Sequence, residues 1–500
     1  RTQEEKSWPA GWPAGWWLVA FCFSQVPVGV LVGYDYDTRH RWQPRSMHQA
    51  TDDLVMFQHG QLTRRQLVGG VAAALASAGL ATKARSAEGP AAPAVGGRKP
   101  ELPQATTATK TIEMVGYDAS VLPPGIRSRF VNDINGLTMH VLEAGFHGKD
   151  RPCVLLLHGF PELAYSWRKV MLPIAAAGFH VVAPDQRGYG RTTGWDGDYD
   201  GDLSSFRFLN LVRDALGLVS AFGYRSVAAV AGHDFGSPVA AWCALLRLDV
   251  FRSVVLMSAP FAGPPSLPFN TVNEEPKKAS QAVQLRTSIH DELAALKPPR
   301  KHYQWYYSTR EADGNMRNCP QGIHAFLRAY YHYKSADWKQ NRPIPLTSWT
   351  AQELAKLPTY YIMKLDKGMA ETVAPMMPSA AEIAACKWLP DDELAVYSSE
   401  FGRTGFQGGL QWYRCATSGA FVADLEVFSG RTIDVPSCFI AGKSDWGPYQ
   451  RPGNLERMQN QVCTQMQGCH LVEGAGHWVQ QEQPEEVSRL LIEFLQQRRG

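Results

Sequence analysis

Short, continuously apolar runs alternate with amphipathic stretches through the middle of this chain. Residues 137–144, 154–157, 181–183, 227–231 and 254–257 read as strands, and 154–157 is apolar at every position, as a strand buried on both faces is. Residues 163–176, 206–222 and 238–246 carry helical periodicity between them. Strands alternating with helices predict an α/β fold with a mostly parallel central sheet covered on both faces. After Pro260 the alternation stops. About 150 residues rich in Tyr, Trp and Pro follow, too long for a loop and expected to form an inserted, mainly helical cap. Strands at 438–441 and 471–473 and an amphipathic helix at 485–497 complete the pattern.

The first hundred residues do not share this pattern. Residues 1–55 read as a leader of uncertain origin that need not belong to the native protein; their apolar stretch 16–32 is broken by Ser24, Gln25, Pro27 and Gly29 and is short for a membrane span. Residues 56–94 resemble a twin-arginine export signal: Thr63-Arg64-Arg65-Gln66-Leu67, a weakly apolar run over 68–81, then small-residue exits. That implies a periplasmic or secreted product, with a cytoplasmic one as the alternative. Residues 95–110 read as a linker, 111–260 as the first part of the α/β body, 261–415 as the cap and 416–500 as the second part of the body.

Composition adds mostly exclusions. Apolar residues make up 45%, charged residues 19%, and formal net charge is +3, with no long basic run to suggest a nucleic-acid partner. The nine cysteines are scattered without metal-type spacing and are expected to be free thiols. No metal or cofactor is implied.

The chemistry sits at the ends of the predicted strands. Gly232-His233-Asp234-Phe235-Gly236 has the frame of a sharp strand-to-helix turn presenting a nucleophile, here Asp234. Gly474-Ala475-Gly476-His477-Trp478 follows the last strand and offers His477 as base. A base needs a carboxylate to orient it. The loop after 254–257 has none, so Asp445 in Gly442-Lys443-Ser444-Asp445-Trp446 is expected to serve. His158-Gly159-Phe160-Pro161-Glu162 places the Phe160 N–H, with that of Phe235, to form an oxyanion hole, and makes Phe160-Pro161 a candidate cis bond. The loop from Asp185 to Gly190 is expected to be structural, with an internal ion pair.

These motifs, HGFPE, PDQRGYG, GHDFG, GKSDW and GAGHW in that order, resemble those of α/β-hydrolase-fold epoxide hydrolases from about Thr111 to Gly500. The resemblance implies hydrolysis of epoxides to vicinal diols through an Asp234 ester, with a small-molecule epoxide and water as partners. It also implies two cap tyrosines as acids, matched here by Tyr303 and Tyr413, with Tyr306 and Tyr307 as fallbacks for the first. Trp167, Trp305 and Trp412 are expected to contact substrate. Phe235 departs from the Trp most often found there. A haloalkane dehalogenase or another hydrolase sharing the Asp nucleophile is the competing enzyme reading; a non-catalytic binding protein on the same fold is the competing reading of another class.

Overall fold

The structure is a computed structural model that describes residues 17–23, 26–32, 115–118, 120–148, 150–267 and 288–497. The chain divides into two units, Arg1–Thr109 and Lys110–Gly500. In the first, Trp17–Phe23 pairs antiparallel with Val26–Val32, so the interrupted apolar stretch holds two strands. No described helix is long and apolar enough to cross a membrane. The twin-arginine segment and the linker lie outside the described residues.

The second unit is built on eight strands: β1 (Ile126–Ile134), β2 (Leu137–Ala144), β3 (Cys153–Leu157), β4 (His180–Pro184), β5 (Ala229–His233), β6 (Val254–Met257), β7 (Ile433–Gly442) and β8 (Cys463–Val472). Their order across the sheet is β8-β7-β6-β5-β3-β4-β2-β1. Strands β3 to β8 pair in parallel, while β1 and β2 add an antiparallel edge. Every residue of β3, β4, β5 and β6 is buried, as the continuous apolar runs require of strands covered on both faces. Leu156 is fully buried in β3, and truncation to Ala there would cost about 2–5 kcal/mol.

Two helices show how sequence selects position. Helix α3 (Gly236–Leu246), which follows α1 (Arg168–Ala176) and α2 (Phe208–Ala221), is apolar or small all round and is buried along nearly its whole length. The final helix (Pro484–Gln496) is amphipathic instead. Pro484 opens it, Glu485 and Glu486 face its positive end, and Val487, Leu490, Leu491, Phe494 and Leu495 form its buried stripe.

Three expectations about strands change. The edge strand β1 was not anticipated, because its mixed polar sequence marks a ribbon with one wet face. Residue Val227 makes only an isolated bridge to Phe251, and the central strand runs later, to His233. Strand β8 starts at Cys463 rather than near Leu471; its polar run Thr464 to Gly468 is tolerated because it is the sheet's last strand.

Between β6 and β7 the chain leaves the sheet and forms helices, among them α4 (Tyr303–Tyr307), α5 (Gly322–Lys334), α6 (Asp391–Thr404) and α7 (Gln407–Ser418). A two-stranded ribbon, Arg300–His302 with Ile362–Lys364, joins them. Helix α7 approaches the body closely at Gly408, where a Cβ would collide with the Gly188 carbonyl. That approach carries Tyr413, five residues further on, against the rings of Phe160 and Phe235.

Candidate active site

Asp234 stands between β5 and α3 with φ of 51°, a left-handed conformation that costs a non-glycine residue on the order of 1–3 kcal/mol. A Cβ at Gly232 would strike the Gly236 carbonyl, so the turn closes only because glycine occupies that position. The result is a carboxylate raised above the carboxyl end of the sheet.

Both of its oxygens are engaged. The Phe160 N–H donates to Oδ1 at 3.0 Å, and His477 Nε2 lies 3.1 Å from Oδ2. A Cβ built on Gly159 would fall 2.7 Å from the Phe235 amide nitrogen, so that amide flanks the same loop. The Phe160-Pro161 bond is cis. His477 Nδ1 in turn lies 3.1 Å from Asp445 Oδ1, which also accepts the Gly447 N–H at 2.7 Å. The structure therefore brings Asp234, His477 and Asp445 into one buried line. Burial alone would raise the Asp234 carboxyl; the His477 contact and the positive charges of His477, Lys334 and His233 outweigh it and hold the group far below the usual carboxylate range. Burial likewise opposes ionisation of Asp445, and His477 and the Gly447 amide overcome it.

Several supporting residues had not been singled out. Glu482 accepts the N–H groups of Gly476 at 2.9 Å and Trp478 at 2.9 Å, so its carboxyl grips the chain on both sides of His477. It takes a third N–H from Ala336. The His477 N–H itself donates to the Lys334 carbonyl at 2.9 Å. The Lys334 side chain is buried at the end of α5, its Nζ 5.2 Å from the ring centres of both Tyr361 and Trp478. Behind the nucleophile, His233 Nδ1 meets Glu162 Oε2 at 2.6 Å, and Gln480 donates to Glu162 Oε1 at 2.9 Å. Glu162 was visible within HGFPE as an acid beside the loop; Lys334 and Glu482 carried no sequence signal.

The cap supplies the roof. A cavity of about 310 Å³ is lined by Asp234, Phe235, Tyr303, Trp305 and Tyr413, among others. The rings of Tyr303 and Tyr413 are 6.0 Å apart. The Tyr303 hydroxyl donates to Gln450 Oε1 at 3.0 Å and accepts from Gln304 Nε2 at 3.3 Å. Burial, reinforced by the charge of Asp234, pushes both phenols well above their ordinary pKa, so both stay protonated at neutral pH. Tyr306 and Tyr307 point elsewhere, the first donating to Asn315 Oδ1 and the second to the Tyr330 hydroxyl.

Two substrate-contact expectations fail. Trp167 is fully buried in the body's core and Trp412 is tied by its indole N–H to the Arg187 carbonyl at 2.9 Å; neither lines the cavity, whereas Trp305 does. Proximity to a motif gave no information on the direction of the side chain. The loop from Asp185 to Gly190 is structural, but without its expected internal ion pair. Asp185 binds His140 Nδ1 at 2.8 Å, and Arg187 binds both oxygens of Asp214 at 2.7 Å.

Residues 152–484 match the family described as alpha/beta hydrolase fold. Epoxide hydrolase A of Mycobacterium tuberculosis is 32% identical over 364 residues, covering 73% of this chain and 95% of that protein. Epoxide hydrolase B of the same organism is 31% identical over 365 residues, covering 72% and 96%. Among solved structures, an epoxide hydrolase from an endophytic Streptomyces superposes with a TM-score of 0.58 at 30% identity, covering 75% of this chain and 97% of that one. Potato (Solanum tuberosum) epoxide hydrolase I gives 0.56 at 29% identity, covering 74% and 99%.

Proposed function

The chain belongs to the α/β-hydrolase-fold epoxide hydrolases and hydrolyses epoxides, and from that premise we propose how its residues divide the work. The observation that carries the assignment is the cavity in which one carboxylate, Asp234, faces two protonated phenols, Tyr303 and Tyr413.

In the first step Asp234 Oδ2 attacks an epoxide carbon. The C–O bond breaks, and the ring oxygen takes a proton from the tyrosine pair as its negative charge develops. Asp234 becomes a hydroxyalkyl ester. In the second step water attacks the ester carbonyl carbon. His477 removes the water's proton, Asp445 steadies the resulting imidazolium, and the Phe160 and Phe235 N–H groups receive the oxyanion on Oδ1. Collapse breaks the bond between the ester carbon and Oδ2, and the departing alkoxide takes the water's remaining proton to complete the vicinal diol. The carboxylate is restored with an oxygen from water, and the proton on His477 returns to the tyrosine pair.

The same geometry supports epoxide over haloalkane. A departing halide needs an N–H donor beside the nucleophile. The indole that packs on Phe235, that of Trp412, already gives its N–H to Arg187. Turnover on a panel of aryl, aliphatic and terpene epoxides alongside chloroalkanes tests this: diol formation with no halide release is expected, and halide release without diol formation would overturn it.

Export through a twin-arginine route is part of the same proposal, supported by Arg64-Arg65 and the apolar run after them. Replacing both arginines by Lys in a chain starting at Met56 should retain the precursor in the cytoplasm; unchanged export would exclude the route.

A further inference from the structure

One buried charge beside the triad has no part in the two steps as written. Lysine is rarely buried unless an anion pairs with it, yet Lys334 is only 3% exposed. It is the last residue of α5, where the carbonyl end of the helix favours a cation. Four rings box its Nζ: the centres of Trp478 and Tyr361 lie 5.2 Å away, that of Tyr330 5.3 Å and that of Tyr360 5.9 Å. Two of these rings lead directly to the chemistry. Trp478 packs 4.7 Å from the His477 ring, and Tyr361 packs 5.1 Å from the Tyr303 ring. The backbone fixes the group as closely. The Lys334 carbonyl takes the His477 N–H at 2.9 Å, and a Cβ on Gly476 would fall 2.6 Å from the same oxygen.

Among the described residues no carboxylate pairs with this ammonium at contact distance. Other buried cations are neutralised: Arg168 by Glu393, Arg187 by Asp214 and Arg328 by Asp391. Aromatic faces hold a cation without cancelling its charge. The field of Lys334 is therefore left for its neighbours, and it helps to keep both Asp234 and Asp445 ionised.

We propose that Lys334 is a positioning residue whose boxed charge favours the second chemical step over the first. This rests on the two-step reading above. Ester formation removes the negative charge from Asp234 and passes it up to the tyrosine pair. Ester hydrolysis brings it back, first as the oxyanion on Oδ1 and then as the carboxylate. A fixed cation beside Asp234 opposes the first change and assists the second. Lys334 lies outside the lining of the cavity, so it acts through Asp234 and not on the substrate. Its effect is to keep the ester short-lived, at the expense of some speed in ring opening.

The test resolves the two steps in the full chain, with styrene oxide as the probe. Lys334→Met keeps the length of the side chain and loses its charge. Its kcat should fall about 10-fold, the scale of one unit charge acting over several ångströms in a protein interior. KM should fall with it, so that kcat/KM stays within about threefold of the parent or rises. Quenched-flow mass spectrometry should find the Asp234 ester accumulated at steady state, with ester formation no slower than in the parent. Lys334→Arg should keep the parent ratio of the two rate constants. Lys356→Met, on the exposed surface of the cap, loses the same charge and should change neither step. A parallel fall of kcat and kcat/KM in Lys334→Met, with no ester accumulated, would reduce Lys334 to packing and overturn the proposal. Should that variant not fold, Lys334→Arg decides: an unchanged ratio upholds the role of the charge, and selectively slowed hydrolysis with the charge retained overturns it. Absence of an adduct on Asp234 in every variant, His477→Gln included, would sink the two-step reading as well.

Discussion

The Phe160 N–H donates to Asp234 Oδ1 at 3.0 Å, so the donor needed by the second chemical step is already aligned on the nucleophile before substrate arrives. His477, on the other oxygen, is the group that only the second step requires as a base.

That division of labour predicts separable defects. Asp234→Ala should abolish turnover. His477→Gln should still form the ester and then stall, and intact-mass and peptide mapping should place one substrate adduct on the peptide containing Asp234. An adduct on another peptide is the result that would refute the assignment.

The two phenols should contribute unequally. Tyr303 gives its proton to Gln450 in the resting structure, while Tyr413 faces the cavity with no described hydrogen bond from its hydroxyl. Either Tyr→Phe change should slow ring opening by about 10–10³-fold, with Tyr413→Phe the larger loss, and the double change should nearly abolish it. Stopped-flow tryptophan fluorescence can follow this step, since Trp305 lines the cavity. Ring opening at the parent rate in the double variant would discard the cap-acid mechanism.

The buried pair behind the nucleophile carries a pH signature. Burial acts against both charges, yet each partner wins: Glu162 is held below its ordinary value by His233, and His233 is raised by Glu162. The Glu162 share of stability is complete above about pH 4.3 and fades as pH falls through the folded value. The His233 share is complete below about pH 6.5 and fades as pH rises through its raised value. Glu162→Gln should therefore cost most, about 3–5 kcal/mol, between those limits. Urea unfolding of both proteins from pH 3.5 to 9 measures the difference, and a constant gap across that range would contradict the ion pair.

Glu482 should act through the loop it grips. Its replacement by Ala strands the amides on either side of His477 and should lower stability by about 2–4 kcal/mol. Single-turnover kinetics should show ester hydrolysis slowed more than ester formation, because only the former depends on the placement of His477 as base. Equal slowing of both steps would mean the clamp does not position the imidazole.

What could be read in advance followed backbone rules. Asp234, Phe160 and Asp445 each lie just after the end of a buried strand and His477 follows the sheet's last strand, where glycines and a change of periodicity mark the turn. Tyr303 and Tyr413 could be placed only through resemblance, because no local pattern distinguishes a cap tyrosine that faces the cavity from Tyr307, which faces the cap core. Trp167 and Trp412 were misread for the same reason. Partners far apart in sequence, such as Arg187 with Asp214 or Glu482 with Ala336, depend on packing between elements that periodicity does not specify.

Strand β7 pairs with β6 although the whole cap separates them in sequence, from Met257 to Ile433. During synthesis the nucleophile and its first amide donor therefore emerge long before Asp445 and His477 do. Closing so long a loop costs only slightly more than closing a short one, since the entropy grows with the logarithm of length. Its price is time rather than stability: parallel pairing at such separation forms slowly and leaves the β6 edge open meanwhile. A ribosome-bound fragment ending before Ile433 would expose that edge to other chains, and the cap helices, already complete, would be the nearest cover for it.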